Sequence, residues 1–298
     1  MDTAPSAASS ATPSPSSPLL GDEAQQFYQG GTAIITGASS GLGVEFARQI
    51  FRHVSVLVLA ARRFEAMQQL AEELNAIHPG VRIIPCACDL ATDAGRLALW
   101  EKVDGLGLQP TLLINNAGLG DYGAFTDADE PRIRQQIDVN ITGLTLLTRD
   151  FVHRAKASAD KPAGVLNVSS LASTVPVPDL AVYAATKSYV SSLSEALAIE
   201  FASRHIRVFY VCPGPTPTNF GKNARRSDEK DIDRSGQDLL VVTPQRVVSD
   251  ALHGLAANRI RVFPGKRVRL AALVFQLLPS VIVRFILTGR YRRSQGQH

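Results

Sequence analysis

Cysteine is scarce in this chain, with three thiols among 298 residues, Cys86, Cys88 and Cys212. No second Cys or His pair completes the spacing of a zinc site, so the sequence predicts no metal centre. Three cysteines also make no disulfide framework of the kind that small secreted domains use. We therefore expect reduced thiols and a cytoplasmic protein.

Lys and Arg are absent from the first 22 residues, which are rich in Ala, Ser, Thr and Pro. This stretch also lacks an apolar run of signal-peptide length, so neither a secretory signal nor an Arg-rich transit peptide is indicated. It has too little apolar surface to bury for its own folding. We expect residues 1–27 to be a disordered tail.

Acidic residues are missing from the other end of the chain. From residue 259 to 298 there are nine Lys or Arg and no Asp or Glu, although the net charge of the whole chain is only +4. Residues 270–287 are mostly apolar but contain Pro279 and a charge, which argues against a transmembrane span. We expect residues 266–298 to be a helical, basic extension that packs on the core or pocket, forms a dimer face, or lies at a membrane surface as a peripheral contact. The mild overall charge indicates no nucleic-acid partner.

Short apolar strands alternate with helical stretches between these ends. Strands are predicted at 32–36, 54–60, 82–88, 111–115, 164–169, 206–211 and 259–263, and helices at 44–51, 64–77, 131–152, 183–202 and from 243 onward. Such alternation predicts right-handed crossovers and a parallel sheet. We expect residues 28–265 to form one α/β domain, a doubly wound parallel sheet of Rossmann type in three αβα layers, with ligands at the carboxyl ends of the strands.

Three glycines occupy the turn between the first strand and the first helix. Glycine there lets the backbone turn tightly and approach a pyrophosphate at the helix N-terminus. Because the turn follows a strand and opens a helix, it indicates a dinucleotide site. The predicted cofactor contacts in this turn are Gly37, Ser39, Ser40, Gly41, Leu42 and Gly43.

The second strand ends in Arg62 and Arg63, where an NAD site would place a carboxylate for the ribose 2′-hydroxyl. Arginine pairs with a 2′-phosphate instead, so NADP(H) is the predicted cofactor and Arg62 the favoured phosphate ligand. The alternative is that Arg62 and Arg63 are only charged residues at the end of the strand, without a role in cofactor binding. Asp89, after the third strand, is predicted either to accept from the adenine amino group or to cap the next helix.

Six motifs in fixed order make the chain resemble the short-chain dehydrogenase/reductase family, in its shorter, single-domain branch. They are Thr36-Gly37-x-x-x-Gly41-x-Gly43, Asn115-Asn116-Ala117-Gly118, Asn140, Ser170, Tyr183-x-x-x-Lys187 and Pro213-Gly214. The resemblance covers residues 30–220. It implies an oxidoreductase that interconverts a carbonyl and an alcohol.

Tyr183 and Lys187 are four residues apart, so their side chains share one helix face. A free phenol has a pKa of about 10, and a nearby ammonium should lower it. Tyr183 is therefore the predicted acid–base group, and Ser170 the predicted holder of the substrate oxygen. The resemblance implies that Lys187 also binds the nicotinamide ribose and that Asn140 orders a water beside Lys187.

The resemblance also assigns the remaining cofactor contacts, Asn116, Ala117, Gly118, Pro213, Gly214 and Thr218. Residues 221–237 are predicted to be a mobile substrate lid, with a plain surface loop as the alternative. Tails of this kind make a lipophilic ketone, ketoacyl-like or ketosteroid-like, the expected substrate, by analogy alone. A homo-oligomer is expected. The competing function is a non-catalytic NADP(H)-sensing protein on the same fold, whose signature would be loss of Tyr183, Lys187 or Ser170.

Overall fold

A seven-stranded parallel sheet forms the centre of the molecule in the computed structural model, which describes residues 20–225 and 238–294. The strands are β1 (Gly31–Thr36), β2 (Val54–Ala61), β3 (Arg82–Ala87), β4 (Leu112–Asn115), β5 (Ala163–Val168), β6 (Ile206–Val211) and β7 (Arg261–Val262), in the order β3-β2-β1-β4-β5-β6-β7. The order reverses direction at β1, as a doubly wound sheet requires. The predicted Rossmann-type fold is confirmed.

Eleven helices flank the sheet within the described ranges. They are α1 (Asp22–Tyr28), α2 (Leu42–Ile50), α3 (Phe64–Ile77), α4 (Asp93–Gly105), α5 (Glu130–Ile137), α6 (Leu144–Arg154), α7 (Ala181–Glu200), α8 (Phe220–Ala224), α9 (Pro244–Ala256), α10 (Lys266–Leu277) and α11 (Ser280–Ser294). A π-helical turn, Asp138–Gly143, joins α5 to α6. The helix predicted over 131–152 is therefore three segments.

Two apolar layers, one on each face of the sheet, form the core. Successive residues of a strand point to opposite faces, so Ile35 packs in one layer and Ile34 in the other. The first layer lies under α2, α3, α9 and α10, and the second under α4 and α6. Because β1 is buried on both faces, its carboxyl end is held rigidly, and the glycine turn starts there.

The N-terminal boundary requires a correction. The sequence places residues 20–27 in the tail, whereas the structure places them in the folded domain: Leu20, Ala24 and Tyr28 are buried, and the Tyr28 hydroxyl donates to the Leu252 carbonyl at 2.8 Å. A seven-residue helix has little stability alone, so its packing against α9 is what sequence composition could not reveal. Residues 1–19 of the predicted tail lie outside the described residues.

The predicted C-terminal extension does contain two helices, α10 and α11, which meet at an angle of 118°. Val268 and Ala272 of α10 are buried in the first core layer, so the extension is continuous with the domain. Over 20–225 and 238–294 no single helix is long and apolar enough to cross a membrane, although α10 and α11 together meet that length and composition.

Candidate active site

The glycine turn packs so tightly that two of its positions admit only glycine. Gly37 has φ +65°, and a Cβ there would lie 2.8 Å from Ala117 Cα. A Cβ on Gly43 would lie 2.2 Å from the Gly37 carbonyl oxygen. The turn thus brings its backbone close to the start of α2, which leaves a cradle of the kind a pyrophosphate occupies. Gly41, at φ +58°, faces Thr218 across this cradle.

Thr36 and Asn116 tie the ends of β1 and β4 together. The Thr36 hydroxyl accepts from the backbone N–H of Asn116 at 2.9 Å and of Ala117 at 3.0 Å. The Asn116 amide donates back to the Thr36 carbonyl at 2.9 Å. Asn116 and Ala117, predicted as cofactor contacts, therefore lie directly beneath the glycine turn and fix its position.

Arg63 is the arginine that the structure brings onto the glycine turn. Its guanidinium donates to the Ser39 carbonyl at 3.0 Å and to the Ser39 hydroxyl at 3.3 Å. Arg62, the predicted phosphate ligand, is exposed at the end of β2 beside it. Arg63 therefore places one cation on the glycine turn, and binding of a 2′-phosphate by Arg62 stays a prediction.

Asp89 does not cap the next helix. The N-cap of α4 is Thr92, whose hydroxyl accepts from the Gly95 N–H at 3.1 Å. Asp89 instead accepts from the Ala91 N–H at 3.1 Å and is half-buried. The capping alternative for Asp89 is thus wrong, and contact with the adenine stays a prediction.

Tyr183, Lys187 and Ser170 come together at the carboxyl end of β5. Lys187 is 3% exposed, and its Nζ donates to the Val168 carbonyl at 2.8 Å. The same Nζ lies 5.7 Å from the centroid of the Tyr183 ring. The Ser170 hydroxyl is near enough to the Tyr183 phenol to lower its pKa. A phenol, an ammonium and a hydroxyl therefore converge, as the sequence predicts.

Burial is the largest cause of the pKa shifts of both Tyr183 and Lys187. It raises the pKa of Tyr183 to about 12, against a smaller lowering from the Ser170 hydrogen bond. It lowers the pKa of Lys187 to about 8. Lys187 is not among the causes of the Tyr183 shift, so the predicted lowering of this pKa by the ammonium is wrong. At neutral pH Tyr183 holds its proton, which is the state needed to donate to a carbonyl oxygen.

Asn140 sits in the π-helical turn with its side chain fully buried. Its Oδ1 accepts from the Leu119 N–H at 2.8 Å, and its Nδ2 donates to the Leu119 carbonyl at 2.8 Å and to Thr186 Oγ1 at 3.0 Å. Thr186 in turn donates to the Tyr183 carbonyl at 2.8 Å. Asn140 therefore positions the loop after β4 against α7, and ordering of a water by Asn140 stays a prediction.

Gly118 separates Lys187 from Asn140. A Cβ on Gly118 would lie 3.3 Å from Lys187 Nζ and 3.5 Å from Asn140 Oδ1. A side chain at this position would therefore crowd the Lys187 ammonium. Gly214, also predicted by resemblance, is pressed against Val268 of α10, where a Cβ would lie 2.8 Å from Val268 Cγ2.

Helix α8 covers the mouth of this site, where no helix was predicted from the sequence. The Phe220 ring lies 5.4 Å from the Tyr183 ring, centroid to centroid. The Tyr122 N–H donates to the Ala224 carbonyl at 2.8 Å, and Arg132 of α5 donates to the Asn223 carbonyl at 2.8 Å. Of the predicted lid, 221–225 belong to this cover and 226–237 lie outside the described residues. The aromatic Phe220, just before the polar segment, is the signal that could have identified it.

Comparisons with known proteins agree with this geometry. A family model described as short chain dehydrogenase matches residues 31–229. Sepiapterin reductase of Meriones unguiculatus is 35% identical over 204 residues, which cover 65% of this chain and 77% of the relative. A short-chain dehydrogenase from Sphingobium yanoikuyae in complex with NADPH has a TM-score of 0.68 and 27% identity, over 82% of this chain and 92% of that one. A bulky-bulky ketone specific alcohol dehydrogenase from Comamonas testosteroni has a TM-score of 0.66 and 27% identity, over 83% and 92%.

Proposed function

The chain belongs to the short-chain dehydrogenase family, as its motifs indicated, and we propose that it reduces a lipophilic ketone or aldehyde to the alcohol with NADP(H). The observation that carries the proposal is the convergence of Tyr183, Ser170 and Lys187 at the carboxyl end of β5, with Tyr183 protonated at neutral pH. The oxidoreductase class follows from the family. The direction of the reaction and the class of substrate are what we propose.

NADP(H) fits the residues of the cradle. Gly37 and Gly43 have no room for a Cβ, and Arg62 and Arg63 supply positive charge where a carboxylate would repel a 2′-phosphate. The similar dehydrogenase from Sphingobium yanoikuyae holds NADPH. When bound, NADP(H) supplies the hydride or accepts it.

The chain's own residues supply the proton and the orientation. Tyr183 donates the proton that converts a carbonyl oxygen to a hydroxyl, and Ser170 donates a hydrogen bond to the same oxygen. The Lys187 ammonium beside the ring stabilises the phenolate that Tyr183 becomes once its proton has left. Reduction thus needs one hydride and one proton, and the reverse reaction returns both.

The position of Phe220 supports the proposal that the substrate is lipophilic. Its ring stands against Tyr183 and presents apolar surface at the place where a carbonyl compound must pass. The ketone-specific relative from Comamonas testosteroni accepts bulky ketones, as its name states. We propose the same substrate class here, in a cytoplasmic homo-oligomer.

The test is NADPH consumption with a panel of aliphatic, aromatic and polycyclic ketones. Tyr183→Phe should lower kcat by at least about a hundredfold, because the proton donor is gone, while the Kd for NADPH stays near that of the unmutated protein. Tyr189→Phe on the same helix is the matched control. Turnover by Tyr183→Phe close to that of the unmutated enzyme would remove the mechanism. Binding of NADPH without turnover of any carbonyl would indicate a cofactor-sensing protein instead.

A further inference from the structure

Helices α10 and α11 form a bent pair that we call the C-terminal elbow. The outer surface of the elbow carries large apolar side chains that are exposed to a degree unusual for a folded domain; Leu277 is 74% and Phe285 80% exposed. The exposed apolar residues of the elbow are Leu270, Leu273, Val274, Leu277, Val281, Ile282, Phe285 and Ile286. All eight lie on two consecutive helices within 17 residues of sequence, from 270 to 286.

The spacing of these residues gives each helix two apolar faces. On α10 the exposed residues 270, 273, 274 and 277 recur at intervals of three and four, so they form one stripe. Val268 and Ala272, which point to the core, lie on the opposite side of the helix. A helix that only packed on the domain would be polar on its outer face, so the outer stripe needs a second apolar environment.

The inner face anchors the elbow beside the active site. Val268 is fully buried and presses on Gly214, at the start of the loop after β6. Helix α10 also contacts the turn Leu171–Thr174, which directly follows Ser170. The orientation of the outer stripe is therefore fixed relative to the catalytic residues.

The charged residues beside the outer stripe indicate which kind of surface it contacts. Lys266, Arg267 and Arg269 are exposed around the first turns of α10, and Arg284 and Arg292 are exposed on α11. Residues 259–298 contain no Asp or Glu to balance them. An apolar stripe flanked only by cations is complementary to acyl chains beneath anionic headgroups.

The other possible occupants match poorly. Residues 1–19 and 226–237 have almost no large apolar side chains, only Met1, Leu19 and Ile232, so neither segment could bury the stripe. A second copy of the elbow would set one cationic array against another without a counter-charge. The elbow bends by 118° and α10 is packed on the core, so it suits a position in the plane of a membrane surface.

We propose that the C-terminal elbow binds the surface of an anionic lipid bilayer. The stripe inserts at the boundary of headgroups and acyl chains, and the flanking Lys and Arg pair with lipid phosphates. Since Val268 connects the elbow to Gly214, the mouth of the active site is held close to the bilayer, where a lipophilic carbonyl compound is concentrated. Binding itself requires no turnover and stands independently of the reductase activity.

Co-sedimentation of the full chain with sucrose-loaded vesicles tests the proposal. We expect binding to phosphatidylcholine vesicles containing phosphatidylglycerol, and at least tenfold weaker binding to phosphatidylcholine alone. Leu277→Glu combined with Phe285→Glu should abolish sedimentation, because the stripe then carries charge into the acyl boundary. Arg267→Gln and Arg269→Gln should each weaken partitioning about fivefold, and higher salt should weaken it further.

Leu97→Glu and Lys102→Gln on α4 are the matched controls, since α4 covers the opposite face of the sheet and Leu97 is 58% exposed. These two variants should bind vesicles like the unmutated chain. The proposal is overturned if the unmutated chain stays in the supernatant with anionic vesicles, or if the double Glu variant sediments equally. It is also overturned if the double Glu variant lowers the mass in light scattering while no form of the chain binds vesicles, because the stripe would then be a contact between copies.

Discussion

Lys187 is a buried charge whose titration affects stability. Its pKa in the folded state is about 8, against an ordinary 10.5, because burial disfavours the ammonium. Below pH 8 Lys187 is protonated in both the folded and the unfolded chain, so the folded state carries the full free-energy cost of burying the ammonium. Between pH 8 and 10.5 the unfolded chain binds more protons, so stability rises with pH.

We expect this dependence to disappear in Lys187→Met. From pH 7 to 9.5 the unmutated protein should gain about 1–2 kcal/mol of unfolding free energy relative to that variant. Tyr183 opposes the trend only above its ordinary pKa of 10, since burial raises its folded pKa to about 12. Thermal melting at both pH values measures the difference, with Lys161→Met in an exposed loop as control. Parallel curves for all three proteins would contradict it.

Arg62 carries the cofactor preference that we propose. Arg62→Asp should raise the Kd for NADPH roughly tenfold to a hundredfold, because a charge-assisted hydrogen bond to the 2′-phosphate is replaced by repulsion. The Kd for NADH should stay level or fall. Fluorescence titration of both cofactors measures this, with Arg82→Asp at the amino end of β3 as control. Equal affinity of the unmutated protein for NADPH and NADH would refute the assignment.

The π-helical turn is the element that connects the loop after β4 to α7, which carries Tyr183 and Lys187. Asn140→Ala removes both bonds to the Leu119 backbone and the bond to Thr186. Unfolding free energy should fall by about 1–3 kcal/mol, because those buried polar groups lose their partner. The value of kcat should fall as well, since Leu119 follows Gly118 beside Lys187.

Thr186→Val is the matched comparison for Asn140→Ala. It removes the bond from Asn140 and the bond to the Tyr183 carbonyl, while both Leu119 bonds remain, so denaturant unfolding should show a smaller loss. Equal losses in the two variants would mean that the Leu119 contacts contribute little.

Elements differ in how well sequence alone predicts them, for physical reasons. The part of β2 from Leu57 to Ala61 is buried on both faces, and its run of apolar residues predicted a strand from sequence alone. The π-helical turn was not predicted, because Asp138–Gly143 continues the helices on either side of it and only the backbone register differs. Helix α8 has five residues and no stripe of its own. At the site, the spacing of Tyr183 and Lys187 and the family resemblance of Ser170 predicted which residues the structure brings together, whereas the contacts of Phe220 and Arg132 join segments that are distant in sequence.

At the scale of the whole molecule, α1 packs against α9 and so attaches residues 20–28 to the rest of the domain. Removing residues 1–28 exposes the apolar surface that Leu20 and Ala24 cover and removes the Tyr28 bond to Leu252, so unfolding free energy should fall by about 3 kcal/mol or more. Removing only residues 1–19 keeps these contacts, and melting of the two truncated forms compares them. If the shorter form does not fold, Tyr28→Phe should still cost about 1–3 kcal/mol. Identical melting of the two truncated forms and the full chain would refute the role of α1.

Arg63 has two effects at the proposed cofactor site. It supplies positive charge there, and its hydrogen bonds to Ser39 help to hold the backbone of the glycine turn in place. A protein engineer who exchanges Arg63 for an acid to favour NADH would also remove two hydrogen bonds from the glycine turn. The redesign would then change turn geometry and electrostatics in one step, and their effects on affinity would be mixed. Arg62 and Arg63 are adjacent but not equivalent targets, and a library that randomises both should include compensating residues at position 39.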